Sequence, residues 1–319
     1  MPSESLSIDF HRVMTRRRFL GALGVGTGLA IGGSFRRAPK TYAQPMGAGS
    51  PLTAFRFVHL TDSHLGYVGD ANRQVTQSLR LALQAISGLD PLPDFILMTG
   101  DLTEMTPSDI ARKGRLTLFR QLIESTKLPW YAVPGEHDAL LDRGTLYQSI
   151  IGDLRYGFSH KGIQFIGLDN VSRGFFLGRD QLTWVKNQVD KLDPQLPLIL
   201  FCHAPLYNVF APWNWYTYDG AELLQLLQHF SQVSIFYGHI HQLMAKETPQ
   251  IYQAAGLPTS WPLPQPSELI KLRPWPQGAT HPFLGLGFRV IDVSAEGRLR
   301  ITNLSLSKEE EVYHAARLV

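Results

Sequence analysis

The sequence predicts an α/β fold that closes on an antiparallel hairpin. Three observations carry this. Six short apolar runs are each bounded by turn chemistry, amphipathic segments of helical period alternate with most of them, and two alternating runs near the C-terminus meet at a Glu-Gly turn.

In chain order, FRFVHLTD (Phe55 to Asp62) is the first strand, and Asn72 to Ser87 follows with apolar residues at helical spacing. FILMTGD (Phe95 to Asp101) is the second strand and Pro107 to Ser125 the second helix. WYAVPG (Trp130 to Gly135) and IQFIGLDN (Ile163 to Asn170) are strands, and Arg179 to Lys191 is helical. LILFCHAP (Leu198 to Pro205), a helix over Asp219 to His229, and VSIFYGHIH (Val233 to His241) complete the alternation. The hairpin GFRVIDVSAEGRLRITNLSL turns at Glu296-Gly297. Two aromatic or proline-rich loops interrupt the pattern: APWNWYTYDG, with Trp213 and Trp215, and GLPTSWPLPQP, with Trp261. They read as self-packed loops or as the rim of a pocket.

A chain of 319 residues can bury a large core, and 44% hydrophobic with 18% charged residues excludes disorder and a polytopic membrane protein. Seven of the 30 basic residues lie in the first 43 positions, beside only Glu4 and Asp9. The remainder holds 23 basic and 25 acidic residues, so the high isoelectric point belongs to the leader and the body offers no basic stripe for nucleic acid. The lone Cys202 excludes an intrachain disulfide and reads as a small core side chain.

The leader reads as an export signal: a basic cluster, an uncharged stretch from Phe19 to Gly33, and small residues ending at Ala43. Thr15-Arg16-Arg17-Arg18-Phe19-Leu20 resembles the twin-arginine signal, which implies passage of a folded protein through that machinery to the periplasm or exterior. An uncleaved N-terminal anchor is the alternative; no stable span is expected in the mature chain. The expected organisation is a leader over 1–43, a linker over 44–53, a body over 54–307 and a tail over 308–319.

Nearly every strand ends in residues able to bind a metal: Asp62 and His64, Asp101, Glu136 and His137, His203, and His239 with His241. Ligand sites in α/β proteins gather at the carboxyl ends of strands. Two residues apart on an extended segment also means one side of it. The ordered series D-x-H, G-D, G-E-H-D, H and G-H-x-H resembles the signature of calcineurin-like metallophosphoesterases, from Asp62 to His241.

That resemblance implies a four-layer αββα sandwich of two mixed sheets flanked by helices, with two metal ions at the strand ends. Asp62, His64 and His241 would hold one ion, Asp101 would bridge both, and Glu136, His203 and His239 would hold the other. His137 would stand beside phosphorus and Asp138 would orient it. The implied reaction is hydrolysis of a phosphodiester or phosphomonoester by a hydroxide bridging two divalent or mixed-valence ions, with Mn, Fe or Zn all open. A small phosphate ester is the implied substrate, a nucleotide or sugar phosphate monoester among the alternatives. A metal-binding envelope protein without catalysis is the rival of another class.

Glu136 departs from the family's usual Asn. An anionic ligand lowers the charge of the centre, which favours monoanionic diesters or a more highly charged ion; alternatively Glu136 turns away and the second metal is weak. Asn170, Trp213, Trp215, Trp261 and His281 are candidate substrate contacts, and His59, His160, His229 and His314 read as structural or surface residues.

Overall fold

A computed structural model describes residues 51–266, 283–307 and 315–317. The leader with its twin-arginine pattern, most of the linker, and His281 lie outside them. The elements in chain order are β1 (Phe55–Leu60), α1 (Val75–Ser87), β2 (Phe95–Thr99), α2 (Asp109–Glu124), β3 (Trp130–Val133), α3 (Glu136–Ala139), α4 (Thr145–Ile150), β4 (Tyr156–His160), β5 (Ile163–Gly167), α5 (Arg179–Val189), β6 (Leu198–Phe201), α6 (Gly220–Leu226), β7 (Val233–Tyr237), β8 (Met244–Glu247), β9 (Ile251–Ala255), β10 (Gly287–Val293), β11 (Leu299–Ser305) and β12 (Ala315–Arg317).

Two mixed six-stranded sheets result, ordered β12-β11-β10-β1-β2-β3 and β4-β5-β6-β7-β9-β8. Within them β1, β2 and β3 run parallel, as do β5, β6, β7 and β9. Period-two alternation sorts the side chains. Phe55 and Phe57 of β1 and Phe95 and Leu97 of β2 meet Phe165, Phe201 and Phe236 of the other sheet in one core. Val58, Leu60, Ile96 and Met98 face the opposite way, against α1 and α2. Leu198, Leu200, Val233 and Ile235 pack against α5 and α6. The layers are therefore helix, sheet, sheet, helix, and strands buried on both faces read as unbroken apolar runs.

Phe165 shows how the central layer is held: its ring lies 4.7 to 6.3 Å from Phe55, Phe57, Phe95 and Phe158. Truncating such a side chain to alanine costs about 3–5 kcal/mol. Cys202 is buried in the outer core of the second sheet, and its thiol is pushed up to about 12 by burial.

The two helices on the first sheet start differently, α1 after a turn and α2 at a side-chain cap. Asn72 accepts from Gln74 N–H at 2.7 Å, so α1 begins at Val75 and not at Asn72. Ser108 caps α2 by accepting from Ala111 N–H at 3.3 Å. The hairpin of β10 and β11 pairs as expected, with Gly297 at φ 82 in its turn. Strands β4, β8 and β9 and the short helices α3 and α4 were not among the elements expected from the sequence; β4 (YGFSH) and β8 (MAKE) lack the unbroken apolar runs of the central strands. Strand β12 pairs with β11, so the segment expected as a tail contributes an edge strand. Among the described residues no helix is long and apolar enough to cross a membrane.

Candidate metal centre

Parallel neighbours end on the same side of a sheet, so the loops after β1, β2 and β3 collect together, as do those after β6 and β7. The loops stay paired past the strands: Asp62 N–H donates to Gly100 O at 3.1 Å, His64 N–H to Asp101 O at 2.9 Å, and Gly238 N–H to His203 O at 2.9 Å. Asp62 Oδ1 also accepts from His239 N–H at 3.1 Å. Glycine makes the closest approaches feasible, since a Cβ on Gly135 would collide with Asp101 and one on Gly238 with Thr61.

Asp62, His64, Asp101, His239 and His241 all sit at positive φ, between 43° and 68°. Five strained non-glycine residues at adjoining strand exits are an investment that folds tolerate at functional sites. This also changes the reason for their convergence. The side chains meet because each strand breaks into a left-handed turn, and the two-residue spacing along an extended segment is not what aligns them.

The inward-facing atoms form two adjoining groups. On one side His64 Nε2 lies 3.1 Å from His241 Nε2 and 3.3 Å from Asp101 Oδ2, and His241 Nε2 lies 3.4 Å from Asp62 Oδ1. On the other, His203 Nε2 lies 2.8 Å from Glu136 Oε2 and 3.4 Å from Asp101 Oδ2, and His239 Nδ1 lies 3.0 Å from Glu136 Oε1. Asp101 touches both groups. Glu136 faces His203 and His239 and does not swing away.

The chemistry of these donors fits metal ions. His64 Nδ1 is engaged by Glu104 Oε2 at 2.8 Å, His203 Nδ1 by Thr99 O at 2.6 Å and His241 Nδ1 by Trp261 O at 2.7 Å. Each acceptor takes the ring proton on Nδ1 and turns the Nε2 lone pair inward. Lone pairs of His64 and His241 then meet at 3.1 Å beside two carboxylates, an arrangement that needs positive charge between them. Asp62, His64 and His241 form one set with ligand atoms within 4.8 Å of one another, and Glu136, His203 and His239 form another.

Burial raises the Asp62 carboxyl, yet the imidazoles of His241, His203 and His64 together more than offset it and leave the group below its usual range. For Glu136 the opposing pull comes from His239 and His203, which hold it well below the ordinary value. Burial lowers His137, but Asp101 and Glu104 overcome that and carry it to about 10. Glu104 lies 3.3 Å from His137 Nδ1 and is itself held at about 2 against burial by His137 and His64. Met105 N–H donates to the same Nδ1 at 3.2 Å, a bond only the neutral ring accepts, so Met105 N–H and the Glu104 carboxylate share this nitrogen.

Asp138 does not orient His137. Its oxygens accept from Leu102 N–H, Thr103 N–H, Thr103 Oγ1 and Gly135 N–H, all within 3.0 Å, and so tie the loop after β2 to the loop after β3. Consecutive residues on a helical turn do not face each other, which separates it from its neighbour. Burial and then Asp101 push this carboxyl up to about 7, against the pull of the three backbone N–H groups. The residue that faces His137 is Glu104, whose only sequence signal is a carboxylate three positions after Asp101.

Trp261 and Trp215 flank the two groups. The Trp261 ring lies 4.5 Å from that of His64, and the Trp215 ring 4.7 Å from that of His239. Trp213 is buried and packs between Phe210 and Trp215 within its own loop. Asn170 is fully buried beneath His203. Its Oδ1 accepts from the backbone N–H of His203 and Ala204, and its Nδ2 donates to Ala204 O and Thr217 Oγ1. Its place is behind a metal-facing imidazole, where substrate does not reach.

A family model of calcineurin-like phosphoesterases matches residues 55–243, a span that contains all seven of these side chains. A probable glycerophosphodiester phosphodiesterase from Arcobacter nitrofigilis is 24% identical over 201 residues, covering 58% of this chain and 71% of that protein. A 3′,5′-cyclic-nucleotide phosphodiesterase from Nostoc is 24% identical over 203 residues, covering 60% and 74%. The crystal structure of a dimetal phosphatase from Danio rerio shares the fold at a TM-score of 0.59 and 14% identity, over 79% of this chain and 96% of that one. With more than half of its length matched, the chain belongs to the calcineurin-like phosphoesterase family, metal-dependent hydrolases of phosphoric esters.

Proposed function

We propose that the protein is an exported phosphodiesterase that hydrolyses a small organic phosphodiester by direct attack of water, without a covalent intermediate. Asp62, His64 and His241 would hold one metal ion and Glu136, His203 and His239 the second, with Asp101 placed beside both groups. Bound there, the ions supply Lewis-acid charge and acidify water. The observation that carries the diester assignment is the placement of Glu136, 2.8 Å from His203 and 3.0 Å from His239. With Asp62 and Asp101 it makes three carboxylates at the centre, which lowers the pull on a phosphate dianion and suits a monoanionic diester.

The chain's own groups complete the chemistry. Asp101 and Glu104 both favour the charged form of His137, and in that form the ring would protonate the leaving oxygen or stabilise the phosphoryl oxygens. Trp215, half-buried beside His239, would supply a flat apolar wall for the organic part of the ester, while Trp261 is buried and backs the imidazoles of His64 and His241. Both relatives named above are described as diester hydrolases, which supports the same substrate class. The test is hydrolysis of bis(p-nitrophenyl) phosphate by the Mn(II)-loaded mature chain: activity is expected and is abolished by Asp101→Asn and by His203→Ala. Activity confined to monoesters would reassign it as a monoesterase, and inactivity on all esters with metals bound would leave a binding protein.

Export rests on the leader's paired Arg16 and Arg17. Replacing both by lysine is expected to retain the protein in the cytoplasm on fractionation; undiminished export would remove the twin-arginine assignment.

A further inference from the structure

We propose a second, anion-binding pocket outside the metal centre: a cavity of about 300 Å³ in which Arg143, Arg155 and Arg173 receive the phosphate group of a small ligand. The three come from separate parts of the chain, the turn between α3 and α4, the residue before β4, and the loop from β5 to α5. Arg56, Arg73, Arg112 and Arg120 elsewhere each pair with a carboxylate. Among the described residues none of the three pocket arginines does so.

Two carboxylates share the wall, and one is committed. Asp169 Oδ1 accepts from the N–H of Val171 and Ser172 and its Oδ2 from the Ser172 hydroxyl, which shapes the loop and leaves the oxygens occupied. Asp180 lies exposed in the first turn of α5, and three arginines against two carboxylates leave the cavity a surplus of one positive charge. The Arg155 guanidinium lies 5.5 Å from the centre of the Trp184 ring, a cation–π contact that leaves its charge unpaired by any carboxylate among the described residues. The turn that carries Arg143 is shaped by its neighbour Asp142, which accepts from Gly144 N–H at 3.1 Å and Leu146 N–H at 3.0 Å. Planar guanidinium groups matched to tetrahedral oxyanions make phosphate the fitting chemistry. Leu154 and Leu177 add apolar wall, and the volume exceeds that of a bare oxyanion.

The pocket has a physical link to the metal centre. The loop that carries Arg173 also carries Phe175, whose ring lies 5.2 Å from that of His239. An occupant that braces Arg173 therefore steadies a side chain against the metal-facing imidazole. None of the seven metal-facing residues lines the cavity, so the pocket binds its anion whether or not metal is present.

The phosphate can be a free ion or part of an organic ester, and two probes distinguish them. Inorganic phosphate and adenosine 5′-monophosphate are titrated separately by calorimetry into the chelator-treated full chain, where no turnover occurs. Saturable binding of one equivalent is expected for at least one probe. The Arg143→Ala/Arg173→Ala double variant, which alters two exposed side chains, weakens it about tenfold or more, while His203→Ala leaves it unchanged. Arg155→Lys, which keeps the charge and loses the fork, weakens it less. Tighter binding of the nucleotide assigns an organic phosphate, and tighter binding of the inorganic ion assigns the free anion. No saturation by either probe up to millimolar concentration overturns the pocket, as does binding that survives the double variant. Loss of binding in His203→Ala also overturns it, by placing the anion in the metal centre. Because hydrolysis is not read, any of these results leaves the diesterase assignment standing.

Discussion

Glu136 Oε2 lies 2.8 Å from Nε2 of His203, on the first residue of the one-turn helix α3. The carboxylate spans two imidazoles, since its other oxygen lies 3.0 Å from His239 Nδ1. A neutral amide in its place raises the charge of the centre by one. Two unit charges 4 Å apart at an effective dielectric of ~20 exchange ~4 kcal/mol, and sharing among several ligands reduces that. Glu136→Asn is therefore expected to raise monoester over diester turnover by about tenfold, ~1.4 kcal/mol, with metal stoichiometry retained. An unchanged ratio with two metals bound in both proteins removes the charge explanation.

Glu104 supports two imidazoles at once, His64 at 2.8 Å and His137 at 3.3 Å. Glu104→Gln keeps the shape and removes the charge. It is expected to cost about 10- to 100-fold in metal affinity or kcat, because partners that orient a ligating imidazole carry effects of that size. Metal titration and steady-state kinetics on a diester separate the two. If KM alone rises, Glu104 acts on substrate binding and not through the imidazoles.

Asn170 sits behind His203 with both ends of its amide engaged. Asn170→Ala leaves buried backbone groups of His203 and Ala204 without their partner, at an expected loss of about 2–4 kcal/mol of stability. Urea unfolding of the metal-free protein measures this directly. A variant as stable as the parent would show that water replaces the amide fully.

The alternation of strands and helices was legible because the central strands are buried on both faces and leave long apolar runs, as in Phe95–Thr99 and Val233–Tyr237. The metal-facing residues were legible as ordered pieces, yet their convergence rests on turns that no periodicity reports, with φ of 51° at Asp62 and 68° at His239. Asp138 illustrates the limit of adjacency: beside His137 in sequence, it binds the loop after β2 instead. Glu104 reaches His64 and His137, and the three pocket arginines reach one another's cavity, only through tertiary structure. Asn170, expected near substrate, is a polar side chain whose burial only packing reveals.

Anomalous diffraction from crystals of the metal-reconstituted mature chain tests the dinuclear centre most directly. Two peaks are predicted about 3.5–4 Å apart, flanking the Asp101 carboxylate, one beside His64 and His241 and the other beside Glu136, His203 and His239. A single peak outside those groups, or none at full metal loading, would contradict it.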